Sequence, residues 1–423
     1  MSASENLINN IIYDIKLNPL YNKQIYSFKP NNRCSVYMDS GNESKSDSWD
    51  SLSIPLQVLR GVHSYGFEKP SPIQCQAIQP IIAGGDVIAQ AQSGTGKTGA
   101  FTIGLLSRLD FSLEGIQVVV ISPTRELSQQ TKNVIDSIGS FCKGLKTKLL
   151  VGGTSTQEDM RSIRHNTPNV VIGCTGRIYD MMERNPGHFS DISLVIVDEA
   201  DDMLSGGFEL QLYNIFKFLH TNTQIVLFSA TIPQEIYNIT AKFMRNPTEI
   251  LVKSEKLTLD GIRQYYISLD TDQDKLDTLK DLFGMLNVSQ TIIYCNTLEK
   301  VQMLYEFMTE DGFPVSRLHS GMNKEERHDS YEAFRVGKNR ILISSNVTAR
   351  GIDIQQVSTV INFDVPKCVH NYLHRIGRSG RWGRKGVAIN FANKYDMMSI
   401  SEIEKHYASS IKELPMDWDK YVA

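Results

Sequence analysis

The chain has 423 residues, with 44 Lys and Arg against 47 Asp and Glu for a formal net charge of −3, so it is long enough for two or three domains with sizeable cores. Its 29 glycines and 14 prolines are ordinary globular usage and exclude wholesale disorder, while the faintly negative balance excludes capture of a polyanion by the bulk field of the molecule. Cysteines 34, 75, 142, 174, 295 and 368 form no CxxC pair, against a cysteine zinc site or a disulfide framework, and with no apolar run near the ~18 residues of a membrane span and no signal-peptide core the chain reads as soluble, intracellular and free of any membrane.

Residues 1–48 are rich in Asn and Ser, end in DSGNESKSDS and keep neither helical nor strand periodicity, which predicts a disordered N-terminal arm. From Trp49 short apolar runs follow: DVIA at 86–89, VVVI at 118–121, VVI at 170–172, LVIV at 194–197 and IVLF at 225–228. None alternates in and out, which predicts a parallel sheet covered on both faces. The helical spacing of Leu210, Tyr213, Ile215, Phe216 and Leu219 supplies one of the covering elements. The first domain is placed at 49–252. A polar stretch, KSEKLTLDG at 253–261, reads as a linker. The alternation restarts with a helix marked by Leu276, Leu279, Leu282, Phe283 and Leu286, then IIYC at 292–295, ILIS at 341–344, VINF at 360–363 and VAINF at 387–391, predicting a second α/β domain over 262–423.

Ala91-Gln-Ser-Gly-Thr-Gly-Lys-Thr98 follows a predicted strand and precedes a predicted helix. In that setting the backbone of Ser93, Gly94, Thr95 and Gly96 can wrap phosphates, Lys97 can reach the β and γ phosphates, and the Thr98 hydroxyl can meet Mg²⁺. Ala91 stands where the general pattern has Gly. Asp198-Glu-Ala-Asp201 follows the buried run 194–197; a carboxylate there can hold the metal (Asp198) and its neighbour can orient an attacking water (Glu199).

With both elements in one domain the chain resembles the DEAD-box ATP-dependent RNA helicases, from Trp49 to the C-terminus. The resemblance implies two RecA-like domains, each a mostly parallel sheet flanked by helices, joined by a short flexible linker, with ATP and Mg²⁺ between them. Gly66-Phe-Glu-Lys-Pro-Ser-Pro-Ile-Gln74 is similar to the family's adenine segment, which gives Phe67 and Gln74 to the base, with Trp49 as a second aromatic behind the pocket or a staple for the next helix. Asp353, in ARGID at 349–353, is implied at the ribose. Arg378 and Arg381, in HRIGRSGR at 374–381, match the family's arginine fingers, which with Lys97 and Glu199 complete the catalytic set. The family assigns Arg125, Gly153, Gly176, Arg177, Thr297, Arg327 and Ser345 to the RNA backbone. It assigns Ser229 and Thr231 to coupling, and His374 and Arg375 are taken as ties to the first domain. Cys174 and Thr175 stand where the family reads Thr-Pro, and a thiol is a weaker donor to phosphate.

YGFEKPS, LTLDGIRQYY and GRKGVAINF point within the family to its translation-initiation and exon-junction members. The implied activity is ATP hydrolysis coupled to local unwinding of RNA, gripped without regard to sequence, by a monomer assisted by scaffold and regulatory proteins of the translation-initiation type. The implied location is cytoplasmic, with a nuclear one as the alternative. Two rival readings stand beside it: an ATP-gated RNA clamp that hardly turns over, and a DNA-directed translocase.

Overall fold

A computed structural model describes residues 35–38, 48–92, 94–205, 207–232, 234–252, 262–285, 290–346, 357–379 and 386–415. Ser93, Leu286, Asp353, Arg381, the segment 253–261, and the arm apart from 35–38 and residue 48 lie outside the described residues.

Eight strands build the first sheet: β1 (Ser35–Met38), β2 (Val87–Gln90), β3 (Val118–Ser122), β4 (Thr147–Leu150), β5 (Val170–Cys174), β6 (Leu194–Val197), β7 (Gln224–Ser229) and β8 (Thr248–Val252), in the order β1-β8-β2-β7-β6-β3-β5-β4. Seven build the second: β9 (Ile262–Ser268), β10 (Gln290–Tyr294), β11 (Val315–Leu318), β12 (Ile341–Ser344), β13 (Val357–Asn362), β14 (Gly386–Ala392) and β15 (Lys412–Glu413), ordered β11-β12-β10-β13-β14-β9-β15. Every ladder is parallel.

The unbroken apolar runs have the cause the sequence implied. Strand side chains alternate between faces, and here both faces are covered. Val118, Val120 and Ile196 pack with Phe101 and Ile78 on one side of the first sheet, while Val119, Ile121 and Val195 pack with Met181 and Ile215 on the other. The second sheet repeats the arrangement, with Ile292 and Leu342 on one face and Ile293 and Ile343 on the other. Strands that the apolar-run criterion passes over carry polar side chains: β4 (TKLL), β9 (IRQYYIS) and β11 (VSRL). Two of these, β4 and β11, are edge strands, where one side of the ladder faces away from the sheet.

Within the expected disordered arm, Ser35–Met38 instead pairs in parallel with β8, Ser35 opposite Glu249 through Met38 opposite Val252. The tetrapeptide SVYM has β-branched and aromatic residues, and the outer edge of β8 offers an open ladder.

The strand order sets the site. β2 lies beside β7 and β7 beside β6, so the glycine loop after β2, Ser229 at the end of β7 and Asp198 after β6 emerge side by side. This is the carboxyl edge of a parallel sheet, where open α/β folds receive ligands.

Candidate functional site

Gly94 and Gly96 take φ of +83° and +100°, a conformation that favours glycine. A Cβ at Gly96 would also approach Gln74 Nε2 and Ser71 Oγ to 2.9 Å. The loop delivers Lys97 to the first position of the helix Lys97–Arg108. Its Nζ lies 3.1 Å from Glu199 Oε1, both side chains almost fully buried. Glu199 itself has φ +53°, a costly conformation for a long side chain. Asp198 Oδ1 accepts from the Glu199 N–H at 3.0 Å.

Burial alone would discharge these groups, and the pairing decides which ones resist it. Burial opposes the charge on Lys97, but Glu199, Asp198 and Asp201 together raise its pKa above the ordinary value. Burial also works against the Glu199 carboxylate, yet Lys97, together with His374 and Arg378, brings its pKa below the usual value. Asp198 is pushed up to about 7, mainly by burial, with Lys97 opposing. Glu199 Oε2 is buried with no hydrogen-bond partner among the described residues. A glycine cradle, a buried ammonium, half-buried Thr98 and paired carboxylates form a donor set that fits a nucleotide phosphate and its hard divalent cation.

Phe67 and Gln74 stand at this loop. Trp49 stacks on Phe67 with ring centroids 6.1 Å apart and 20° between planes, and its Nε1 donates to the Phe67 carbonyl at 3.1 Å, so Trp49 lies behind the half-buried ring. Gln74 Oε1 accepts from the Ser71 N–H at 2.7 Å and its Nε2 donates to the Gly96 carbonyl at 3.3 Å, tying the start of the helix Pro72–Ala83 to the phosphate loop.

Asp201 links three elements. Its N–H donates to Ser229 Oγ at 3.1 Å, and its Oδ2 accepts from the Thr231 N–H and hydroxyl at 3.1 and 2.7 Å. From the second lobe, His374 Nε2 lies 3.3 Å from the same oxygen. Arg378 is buried and its charge acts on Glu199. Of the residues expected to tie the lobes, His374 does so and Arg375 does not. Fully buried, Arg375 donates to Asn346 Oδ1, Asn362 Oδ1, the Asp364 carbonyl and Asn296 Oδ1 at 2.7–3.1 Å, all within its own lobe, because the ends of β10, β12 and β13 converge on it. Burial lowers its pKa to about 10. Arg375→Met is expected to strand four acceptors and destabilise the second lobe by about 3–5 kcal/mol, read as a lowered urea midpoint; an unchanged midpoint would contradict this role.

The expected RNA residues divide into two groups. Arg125 opens the helix Arg125–Ile138 and its guanidinium lies over Gly152 and Gly153, where added Cβ atoms would meet it at 3.2 and 2.9 Å. Gly176 and Thr297 are exposed, Gly176 at the start of one helix and Thr297 just before another. Thr297 caps its helix by accepting from the Lys300 N–H at 3.3 Å, while Ser345 follows β12 and is buried. Arg177 turns inward, donating to Thr154 Oγ1 and the Thr154 carbonyl, both at 2.8 Å, and pairing with Asp159. It therefore shapes the loop after Gly153. Thr175 is buried and donates to Gln211 Oε1 at 2.7 Å. The Cys174 thiol contacts Ser128 Oγ, and burial pushes its pKa up to about 11.

Arg327 crosses to the first lobe and forks onto Glu126, with Nε 2.7 Å from Oε1 and Nη2 donating to Oε2 at 2.8 Å. A cleft of about 610 Å³ opens around this pair, lined among others by Arg125, Gln129, Thr154, Tyr331 and Arg335. Sequence reasoning missed Glu126, Asp159, Gln211 and Asn362. Only Glu126, beside Arg125, had a positional hint.

Two family models match the chain: DEAD/DEAH box helicase over residues 71–239 and helicase conserved C-terminal domain over residues 274–383. The ATP-dependent RNA helicase eIF4A of Neosartorya fischeri is 47% identical over 380 residues, 90% of this chain and 95% of the relative. That of Aspergillus niger is 49% identical over 371 residues, 88% and 93% of the two chains. Among solved structures, S. cerevisiae Dbp5 bound to RNA and ADP BeF3 superposes with TM-score 0.83 at 33% identity, covering 89% of this chain and 98% of that one. A single-substitution form of S. cerevisiae Dbp5, bound to Nup159, a Gle1 variant, IP6 and ADP, reaches 0.60 at 32% identity, covering 87% and 97%.

Proposed function

The chain belongs to the DEAD-box family of ATP-dependent RNA helicases, and from that premise we propose that it serves translation initiation, parting short RNA duplexes with a clamp whose jaws are its two lobes. One observation carries the mechanism: a single buried cluster draws Lys97, Glu199 and Asp201 from the first lobe and His374 and Arg378 from the second.

The γ-phosphate of ATP would sit against Lys97, with the Gly94–Gly96 backbone donating around it. Thr98 and Asp198 would hold Mg²⁺, which when bound neutralises charge on the β and γ phosphates. Glu199 Oε2, which has no hydrogen-bond partner among the described residues, would accept a proton from the attacking water. Arg378 would stabilise the charge that grows on the transferred group. Asp201 passes the state of the pocket to Thr231 and to His374 through the bonds it already makes. Arg125, Gly153 and Gly176 would receive RNA phosphates. Arg327 would exchange Glu126 for the same strand, a like-for-like swap between carboxylate and phosphate. Phosphate contacts position the strand and carry little sequence information.

Partners of the translation-initiation type and a cytoplasmic location belong to the same reading. Among the described residues no helix is long and apolar enough to cross a membrane. The test is multiple-turnover phosphate release by the purified chain, with and without single-stranded RNA, beside strand separation of a short RNA duplex. Both should require ATP and RNA together. Hydrolysis indifferent to RNA would overturn the clamp, and an extract depleted of the protein that initiates translation normally would overturn the role.

A further inference from the structure

We propose that Asn296 and Asn346 are positioning residues that carry the presence of RNA to the ATP site: both hold Arg375, and Arg375 sets the stance of His374 and Arg378. The proposal rests on the clamp reading above and on the RNA contacts expected of Thr297 and Ser345.

Each asparagine adjoins one of those two residues in sequence. Asn296 lies two residues past β10 and directly before Thr297, and both are exposed. Asn346 directly follows Ser345 beyond the end of β12. Their side chains reach one buried group from two sides: Asn296 Oδ1 accepts from Arg375 Nη2 at 2.7 Å, and Asn346 Oδ1 accepts from its Nε at 2.8 Å. Asn296 is itself fixed, its N–H donating to Asp364 Oδ2 and its Nδ2 to the Val365 carbonyl, both at 2.9 Å. A shift of either turn on engaging a phosphate is therefore felt at Arg375, which is fully buried in an interior too closely packed to absorb it.

Arg375 follows His374 in the helix Val369–Ile376, and its carbonyl accepts the Arg378 N–H at 3.3 Å just past the helix end. One side chain thus meets both RNA-facing turns, and its own backbone carries the two groups that act on the first lobe. His374 Nε2 stands 3.3 Å from Asp201 Oδ2, a long contact that a small movement of the helix would shorten. Arg378 acts on Glu199. RNA seated on the two turns would therefore present the finger to the nucleotide.

A third asparagine supplies the contrast. Asn362 Oδ1 also accepts from Arg375, at 3.1 Å, but sits in β13 between the core residues Ile361 and Phe363, with no expected RNA residue beside it.

The test measures, on the full chain, the ratio of the Kd for labelled single-stranded RNA without and with ADP·BeF3 and Mg²⁺. In the parent this ratio should reach at least the usual allosteric range of about 5–150. Asn296→Ala and Asn346→Ala should each lower it at least about fivefold and leave the affinity for the analogue without RNA unchanged. Asn346→Asp, which keeps an acceptor for Nε, should retain the ratio. Asn346→Ser, too short to reach Nε, replaces the alanine variant if that one does not fold. Asn362→Ala also removes one bond to Arg375, so it should lower the urea midpoint while keeping the parent's ratio. A coupled parent whose Asn296 and Asn346 variants keep the ratio, or an Asn362→Ala variant that loses it equally, would overturn the relay and leave the clamp standing. A parent without coupling would overturn both.

Discussion

Glu199→Gln is expected to lower RNA-stimulated ATP turnover by about 10²–10³-fold, the usual scale for losing one preorganised polar group at the reacting centre, while ATP and RNA still bind. The substitution keeps the shape of the side chain and the contact with Lys97, so the fold should hold. What it removes is the buried carboxylate whose Oε2 faces no donor among the described residues, and an amide cannot take a proton from water. Single-turnover phosphate release measures the chemical step, and filter retention of labelled RNA with ATP measures the clamp. Slow hydrolysis with undiminished or prolonged RNA retention is the expected pair of results. If turnover stays above about a tenth of the parent's, Glu199 does not have this role.

Arg378→Ala should be as damaging to hydrolysis, by about 10³-fold or more on the scale of arginine fingers in phosphoryl transfer, for a different reason. Arg378 belongs to the second lobe, yet its charge is felt at Glu199 in the first, so its effect depends on lobe closure. The variant should therefore lose the stimulation that RNA gives while keeping nucleotide affinity nearly intact, since Lys97 and the glycine loop remain. A variant that hydrolyses ATP at the parent's RNA-stimulated rate would show that the finger lies elsewhere.

The strands that the sequence made legible were those whose function is burial. VVVI, LVIV, IVLF and ILIS are continuous because both of their faces are covered, and each appears within a residue or two of its observed bounds. The illegible ones, such as β4 and β11, sit at edges where Lys148 or Arg317 is tolerated, so their apolar pattern is broken. β1 was hidden for a related reason: four residues in a polar segment become a strand only because β8 is there to pair with.

Site residues divide along the same line. The glycine loop and the acidic tetrad declare themselves because backbone conformation and charge are written locally. Arg375 was recognised as important but misassigned, and Arg177 turns inward where a contact to RNA was expected, since a side chain's direction depends on partners remote in sequence. Asp159 turns one inward; Asn296, Asn346 and Asn362 enclose the other.

The two bonds of the Gln74 amide carry a consequence for nucleotide choice. Both ends of that amide are already engaged, one at Ser71 and one at the carbonyl of Gly96. An adenine that recruits Gln74 must share or displace those partners, so reading the base perturbs the very backbone that grips the triphosphate. Discrimination among purines would then register as a change in how firmly the tail is held, and a mismatched base would leave a loosely seated substrate even where affinity falls little.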